Sequence, residues 1–196
     1  MDTSDTMTHD VASIPAMSEV PRGRIAMWWL VASEIVIFGG AVCCYLMFRF
    51  RHPEWGALAA HTSTPMGALN TLVLLTSSLN MVLAHSAAER QDIRAACRNM
   101  IMAMLLGCVF LVVKAIEYTA EIRQGYTITA DLFWSFYYLL TGLHALHVIA
   151  GVTAIFFVML SASKRRHLHR VEMAGIYWHL VDIVWLFLFP LLYIAG

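Results

Sequence analysis

Charge is scarce in this chain of 196 residues: lysine, arginine, aspartate and glutamate together make up 13%. A soluble domain carries about 25% charged residues, so the deficit argues against an ordinary water-facing surface. The formal net charge is zero, and no basic stretch alternates with aromatics, which excludes nucleic acid as a partner. Cysteine is sparse too. Cys43, Cys44, Cys97 and Cys108 form no CxxC pair and no CxxCH site, so a disulfide framework, a zinc site and c-type haem attachment all lack support. They read as apolar, buried cysteines. No lysine or arginine precedes Arg22, while Asp2, Asp5, Asp10 and Glu19 make the leading segment mildly acidic. That excludes an arginine-rich transit peptide and a positively charged signal peptide. Residues 1–21 are expected to be a disordered cytoplasmic tail.

What remains is apolar, with 60% of residues hydrophobic. Five apolar stretches, at about 26–48, 67–85, 99–118, 133–160 and 176–195, approach or exceed the roughly 20 residues that a helix needs to cross the hydrocarbon core. They do not alternate with period two, and a barrel would need many more of them. The fold class is therefore all-α: one polytopic membrane domain over 22–196, a bundle of five transmembrane helices. Nine basic residues (Arg22, Arg24, Arg90, Arg94, Arg98, Lys164, Arg165, Arg166 and Arg170) fall on the side holding the N-terminus. Arg49, Arg51, Lys114 and Arg123 fall towards the other. The positive-inside rule then puts the N-terminus in the cytoplasm and the C-terminus outside.

Ionisable residues inside spans are costly and usually face protein or water. At about 1.5 Å of rise per residue, Glu34 lies roughly 12 Å from the start of its span, His147 about 20 Å from the outer end of the fourth, and Asp182 roughly 9 Å into the fifth. Glu34, His147, His179 and Asp182 could therefore form one polar cluster in the cytoplasmic half. His144 and His147 are three apart, as are His179 and Asp182, a spacing that shares a helix face. Three readings stay open for these groups. The first is interhelical hydrogen bonding that holds register together with Asn70, Asn80, Thr141, Trp178 and Trp185; the second is a proton or lipid-headgroup role; the third is metal or haem ligation. The last is the weakest, because a di-metal site would want ExxH pairs and the chain offers HxxH and HxxD.

Lys114 and Glu117, three residues apart near the outer end of the third span, are expected to pair. Gly39, Gly40, Gly107, Gly142 and Gly151 would permit close helix contact. Trp28, Trp29, Trp134, Trp178, Tyr126 and Tyr193 read as interfacial aromatics, and the basic loop with His167 and His169 as a solvated segment near anionic headgroups.

Taken together, RGRIAMWWLVASEIVIFGG (22–40), LNTLVLLTSS (69–78), EY (117–118), TGLHALHVIAG (141–151) and YWHLVDIVWLFLF (177–189) resemble subunit III of the haem–copper respiratory oxidases. HxxH and WHxVDxVW in successive helices are the specific part. The resemblance implies a non-redox subunit of a bacterial, proton-pumping terminal oxidase that reduces oxygen to water. It also implies haem and copper in partner subunits I and II, no catalytic, cofactor or metal site of its own, and bound phospholipid. By motif, Glu34 matches the family's intramembrane glutamate, and His144, His147, His179, Asp182 and Trp185 match its later polar and aromatic positions, with Glu117 in the EY pair. Their implied roles are packing, lipid contact and proton supply to subunit I in the cytoplasmic membrane. Members with seven spans add two N-terminal helices that frame a lipid-filled cleft. The five spans here match the last five, so a cleft of that kind is in question. An accessory subunit of nitric oxide reductase shares this architecture, although Glu34 in its SEI context favours the oxygen reductase. A proton-coupled transporter is the remaining rival. The chain shows no inverted repeat, and Pro190 is the only proline within a span, which speaks against it.

Overall fold

The computed structural model describes residues 22–59, 61–164 and 168–194. The expected tail over 1–21 and the basic residues 165–167 lie outside them. Among the described residues there is helix and no strand: α1 (Arg22–Arg51), α2 (Trp55–Ala59), α3 (Thr64–Glu89), α4 (Ile93–Arg123), α5 (Leu132–Ser163) and α6 (His169–Phe189), closed by a π-turn over Pro190–Ile194. Five of them are long and apolar enough to cross a membrane. This is the topology a bilayer permits, because each helix satisfies its own backbone hydrogen bonds.

Local chemistry sets the ends. Pro65 opens α3 at a position where a missing N–H costs nothing. Asp92 caps α4 by accepting from the Ala95 N–H at 3.1 Å, and Asp131 caps α5 through the Phe133 N–H at 2.8 Å. Gly125, at φ +90°, turns the chain after α4, a conformation that glycine adopts without steric cost. Pro190 stands where α6 widens into the π-turn, and proline has no N–H to continue the α ladder.

Helices α3, α4, α5 and α6 pack in a closed ring, each against the next, and α1 leans on the α5–α6 edge from outside. Trp178 keys the ring together. Its indole N–H donates to Ser77 Oγ at 3.1 Å, and Ser77 donates on to the Ala103 carbonyl at 2.9 Å. A Cβ built on Gly107 or Gly151 would come within 2.8 Å of the indole ring. Both glycines therefore exist to admit it, one on α4 and one on α5. Trp185 Nε1 likewise donates to Thr71 Oγ1 at 3.1 Å.

Several sequence expectations are corrected. Trp134, Trp178 and Tyr193 are buried in the bundle, not interfacial, because each has a helix surface to fill. Trp28 and Trp29 do face outward. Gly39 and Gly40 have open space around them, since α1 has neighbours on one side only. Cys43, Cys44 and Cys108 are exposed, and only Cys97 is half-buried, because they lie on the outer faces of their helices. Asn80 donates to Thr76 within its own helix at 2.8 Å and bridges nothing.

Candidate functional site

The polar groups fall into two separate sites. The first joins α1 to α5. His147 Nε2 lies 2.8 Å from Glu34 Oε2, and His147 Nδ1 lies 2.7 Å from the Leu143 carbonyl. A ring nitrogen that faces a carbonyl must carry a hydrogen. Nε2 is thereby the nitrogen turned to the carboxyl, at ion-pair distance. The Phe38 ring edges onto His147 with centroids 5.1 Å apart, and Tyr177 donates to the His147 carbonyl at 3.4 Å.

Two apolar grooves flank this pair where α1 stands off the ring. One, of about 290 Å³, is lined by Ile35, Phe38, Val42, Leu180 and Phe187. The other, of about 440 Å³, runs between Met27, Leu30, Val158, Met173 and Tyr177, with Arg170 the charged residue on its wall.

The second site lies in the half of the bundle that holds the α1–α3 and α4–α5 connections and the C-terminal turn. Lys114 is buried and donates to Glu117 Oε2 at 3.0 Å, Tyr137 OH at 3.0 Å and Tyr193 OH at 2.7 Å. Tyr137 OH also lies 3.1 Å from Glu117 Oε1 and 2.8 Å from Glu121 Oε1. The Lys114 ammonium sits 4.7 Å above the Tyr118 ring and 4.9 Å from that of Tyr137, so aromatic faces complete its coordination. The expected Lys114–Glu117 pair is thus present, but inside a larger network. Glu121 and Tyr137 were not singled out by sequence, and Tyr193 was read there only as an interfacial aromatic. The available signal was the i, i+3, i+7 spacing of 114, 117 and 121, which places all three on one face of α4.

The remaining candidates are distributed differently from the single cluster that depth alone suggested. His179 Nδ1 lies 2.6 Å from Ser78 Oγ on α3, and the Ser78 hydroxyl also faces the buried Asp182 carboxyl. Among the described residues no hydrogen bond or ion pair joins these to Glu34 or His147. Helix rotation is the reason: the face of α6 that carries His179 and Asp182 is turned to Ser78 on α3 and not to α1, and on α5 the three residues between His144 and His147 span about 60° of arc, enough to serve different neighbours. His144 shows the same effect. It turns away from Glu34 into the ring, where Phe110 edges onto it at 5.3 Å and Trp185 lies at 5.2 Å. Thr141 accepts or donates across to Tyr118 OH at 2.6 Å. Asn70 is fully buried, and neither end of its amide has a protein partner. Among the described residues no three of His, Cys, Asp and Glu converge so as to hold a metal ion.

Fold and sites together define a multi-pass membrane protein whose ionisable residues are held inside the bundle. The description "Cytochrome c oxidase subunit III" belongs to the family profile that matches residues 16–196. The chain is 33% identical over 167 residues to cytochrome c oxidase subunit 3 of Thermostichus vulcanus, covering 83% of this chain and 82% of that one. It is 33% identical over 190 residues to the subunit of the same name from Corynebacterium diphtheriae, covering 93% and 91%. It is also 31% identical over 183 residues to a heme-copper oxidase subunit I+III of Aeropyrum pernix, covering 88% of this chain and 22% of that longer one. The chain belongs to the cytochrome c oxidase subunit III family, and hence to the subunits of a haem–copper oxidase complex.

Proposed function

We propose that this chain is the non-redox subunit III of a proton-pumping terminal oxidase, seated against subunit I in the bacterial cytoplasmic membrane with its N-terminus inside. Haem and copper reside in subunits I and II, and this chain supports proton uptake, lipid binding and the working lifetime of subunit I. A fused subunit I+III among the relatives supports the pairing with subunit I. The observation that carries the proton role is the Glu34–His147 contact. Its Nδ1 is committed to a carbonyl, so Nε2 and the carboxyl can share one proton with the pair neutral overall, and a proton taken up by the pair is passed on in step with release of the one it holds, which keeps buried charge from building up. The groove beside it suits an acyl chain, and Arg170 suits an anionic headgroup. The oxygen reductase is preferred to the nitric oxide reductase because the relatives described carry the oxidase name.

The test is Glu34→Ala in the purified complex. Steady-state oxygen consumption should slow, or active lifetime shorten, while the haem spectra stay those of the wild type. Unchanged turnover, lifetime and assembly would remove the role assigned to the pair.

A further inference from the structure

We propose that the Lys114 cluster is a proton-binding site, holding one proton on the Glu121 carboxyl beyond the complement of an ordinary ammonium and two carboxylates. Charge gives the first reason. Lys114, Glu117 and Glu121 are 2%, 1% and 4% exposed, and one ammonium beside two carboxylates would leave a net negative charge buried where it is strongly disfavoured. Glu121 also stands in the last turn of α4, whose C-cap is Gln124, where the negative end of the helix dipole opposes a further negative charge.

Hydrogen accounting gives the second, independent reason. The three Lys114 hydrogens are committed to Glu117, Tyr137 and Tyr193. Tyr138, the other hydroxyl facing Glu121, spends its hydrogen on the Tyr126 carbonyl at 2.8 Å. Tyr137 has one hydrogen for two carboxylate oxygens, Glu117 Oε1 and Glu121 Oε1. Among the described residues Glu121 Oε2 is buried with no hydrogen-bond partner. Adding a proton to Glu121 Oε1 resolves both deficits. That O–H donates to the Tyr137 oxygen across 2.8 Å, Tyr137 then donates to Glu117 Oε1 across 3.1 Å, the Tyr193 hydroxyl gives its hydrogen to the Glu117 carboxylate, and Glu121 Oε2 becomes a neutral carbonyl oxygen, which tolerates the lack of a partner far better than a carboxylate does. The proton comes from the water at that end of the bundle, and the cluster passes from −1 to neutral. A metal ion is disfavoured as the added cation because the Lys114 ammonium already fills the centre. The groups facing Glu121 are Lys114, Glu117 and Tyr118 from α4, Tyr137 and Tyr138 from α5, and Tyr193 from the C-terminal turn.

The experiment is infrared difference spectroscopy, in H2O and D2O, on the full-length chain with its co-purifying subunits in lipid nanodiscs at neutral pH. The wild-type minus Glu121→Gln spectrum should show the loss of one protonated-carboxyl stretch that shifts in D2O. Glu34→Gln should leave that band in place, so the result is independent of the role proposed for Glu34. Loss of ionised-carboxylate bands in its place would overturn the proposal. If Glu121→Gln does not accumulate, Tyr137→Phe serves, since removing the hydroxyl must move the band. A carboxyl band indifferent to Tyr137→Phe would likewise overturn it.

Discussion

Gly151→Ala tests how tightly the Trp178 wedge sets the bundle. The added methyl would lie 2.8 Å from Trp178 Cε3 and Cζ3, and 3.3 Å from Tyr177 Cε1. Carbon atoms repel strongly at 2.8 Å, so the indole or a helix must give way by close to 1 Å to reach ordinary contact. The indole cannot move freely. A Cβ on Gly107 on its other side would be just as close, and its N–H is held by Ser77 at 3.1 Å. Overpacking of this kind costs about 1–3 kcal/mol, and losing the Ser77 bond adds about 0.6 kcal/mol in a membrane. The assay is unfolding of the chain in mixed micelles on titration with dodecyl sulfate, followed by far-ultraviolet circular dichroism. Trp178→Phe removes the clashing ring atoms. In that background Gly151→Ala should cost much less, giving a coupling of about 1–2 kcal/mol in the double-mutant cycle. A Gly151→Ala variant within about 0.5 kcal/mol of wild type, or additive behaviour in the cycle, would refute the wedge.

Two further outcomes are expected. Lys114→Met removes the cation from a buried network and should destabilise the chain by about 3–5 kcal/mol, whereas Lys114→Met with Glu117→Gln should recover much of that, because a neutral replacement of a buried pair is often tolerated; the same micelle titration decides, and an unrescued double variant would contradict the charge accounting. At the exposed α1–α2 connection, its own backbone N–H and the His52 ring at 2.7 Å hold the Glu54 carboxyl below the usual carboxylate range. A depressed value means that the ordering contribution is present above the unfolded-state value and is lost as pH falls through the folded one, so a carbon NMR titration should show the Glu54 midpoint rising in His52→Ala, and an unmoved midpoint would count against the contact.

The helices were legible because bilayer physics writes them as long apolar runs: four of the five expected spans fall inside an observed helix, and the described part of the fifth, 176–194, runs through α6 into the π-turn. Boundaries moved outward by several residues, since polar residues such as Arg51 and Glu89 are exposed and continue their helices past the apolar run. Which groups meet was far less legible. Depth placed Glu34 and His147 at one level, and they do touch. The same reasoning placed His179 and Asp182 with them, but helix rotation directs that pair to α3. The Lys114–Glu117 pair followed from spacing within one helix, whereas Tyr137 and Tyr193 join it from elements 23 and 79 residues away, a partnership that no local pattern encodes. Trp178 and Tyr193 were misread as interfacial for a related reason. An aromatic near the end of an apolar run has the same local pattern whether it meets lipid headgroups or a glycine on the next helix.

The arrangement of the two sites bears on what a subunit in an energised membrane must avoid. Among the described residues no hydrogen bond links the Lys114 cluster to the Glu34–His147 pair, although α5 contributes to both through Tyr137 and His147. Between them on that helix stands His144, one turn from His147, enclosed by Phe110 and Trp185 and with neither ring nitrogen partnered by protein. Phe110 and Trp185 also meet each other edge to face at 4.9 Å, so aromatic side chains wall this histidine in. A proton crossing there would have to sit on an imidazole with no hydrogen-bond partner among the described residues, at a desolvation cost of several kcal/mol. On the proposed reading that barrier is functional. It lets one half of the bundle exchange protons at Glu34 and the other hold one at Glu121, with no hydrogen-bonded path between them among the described residues.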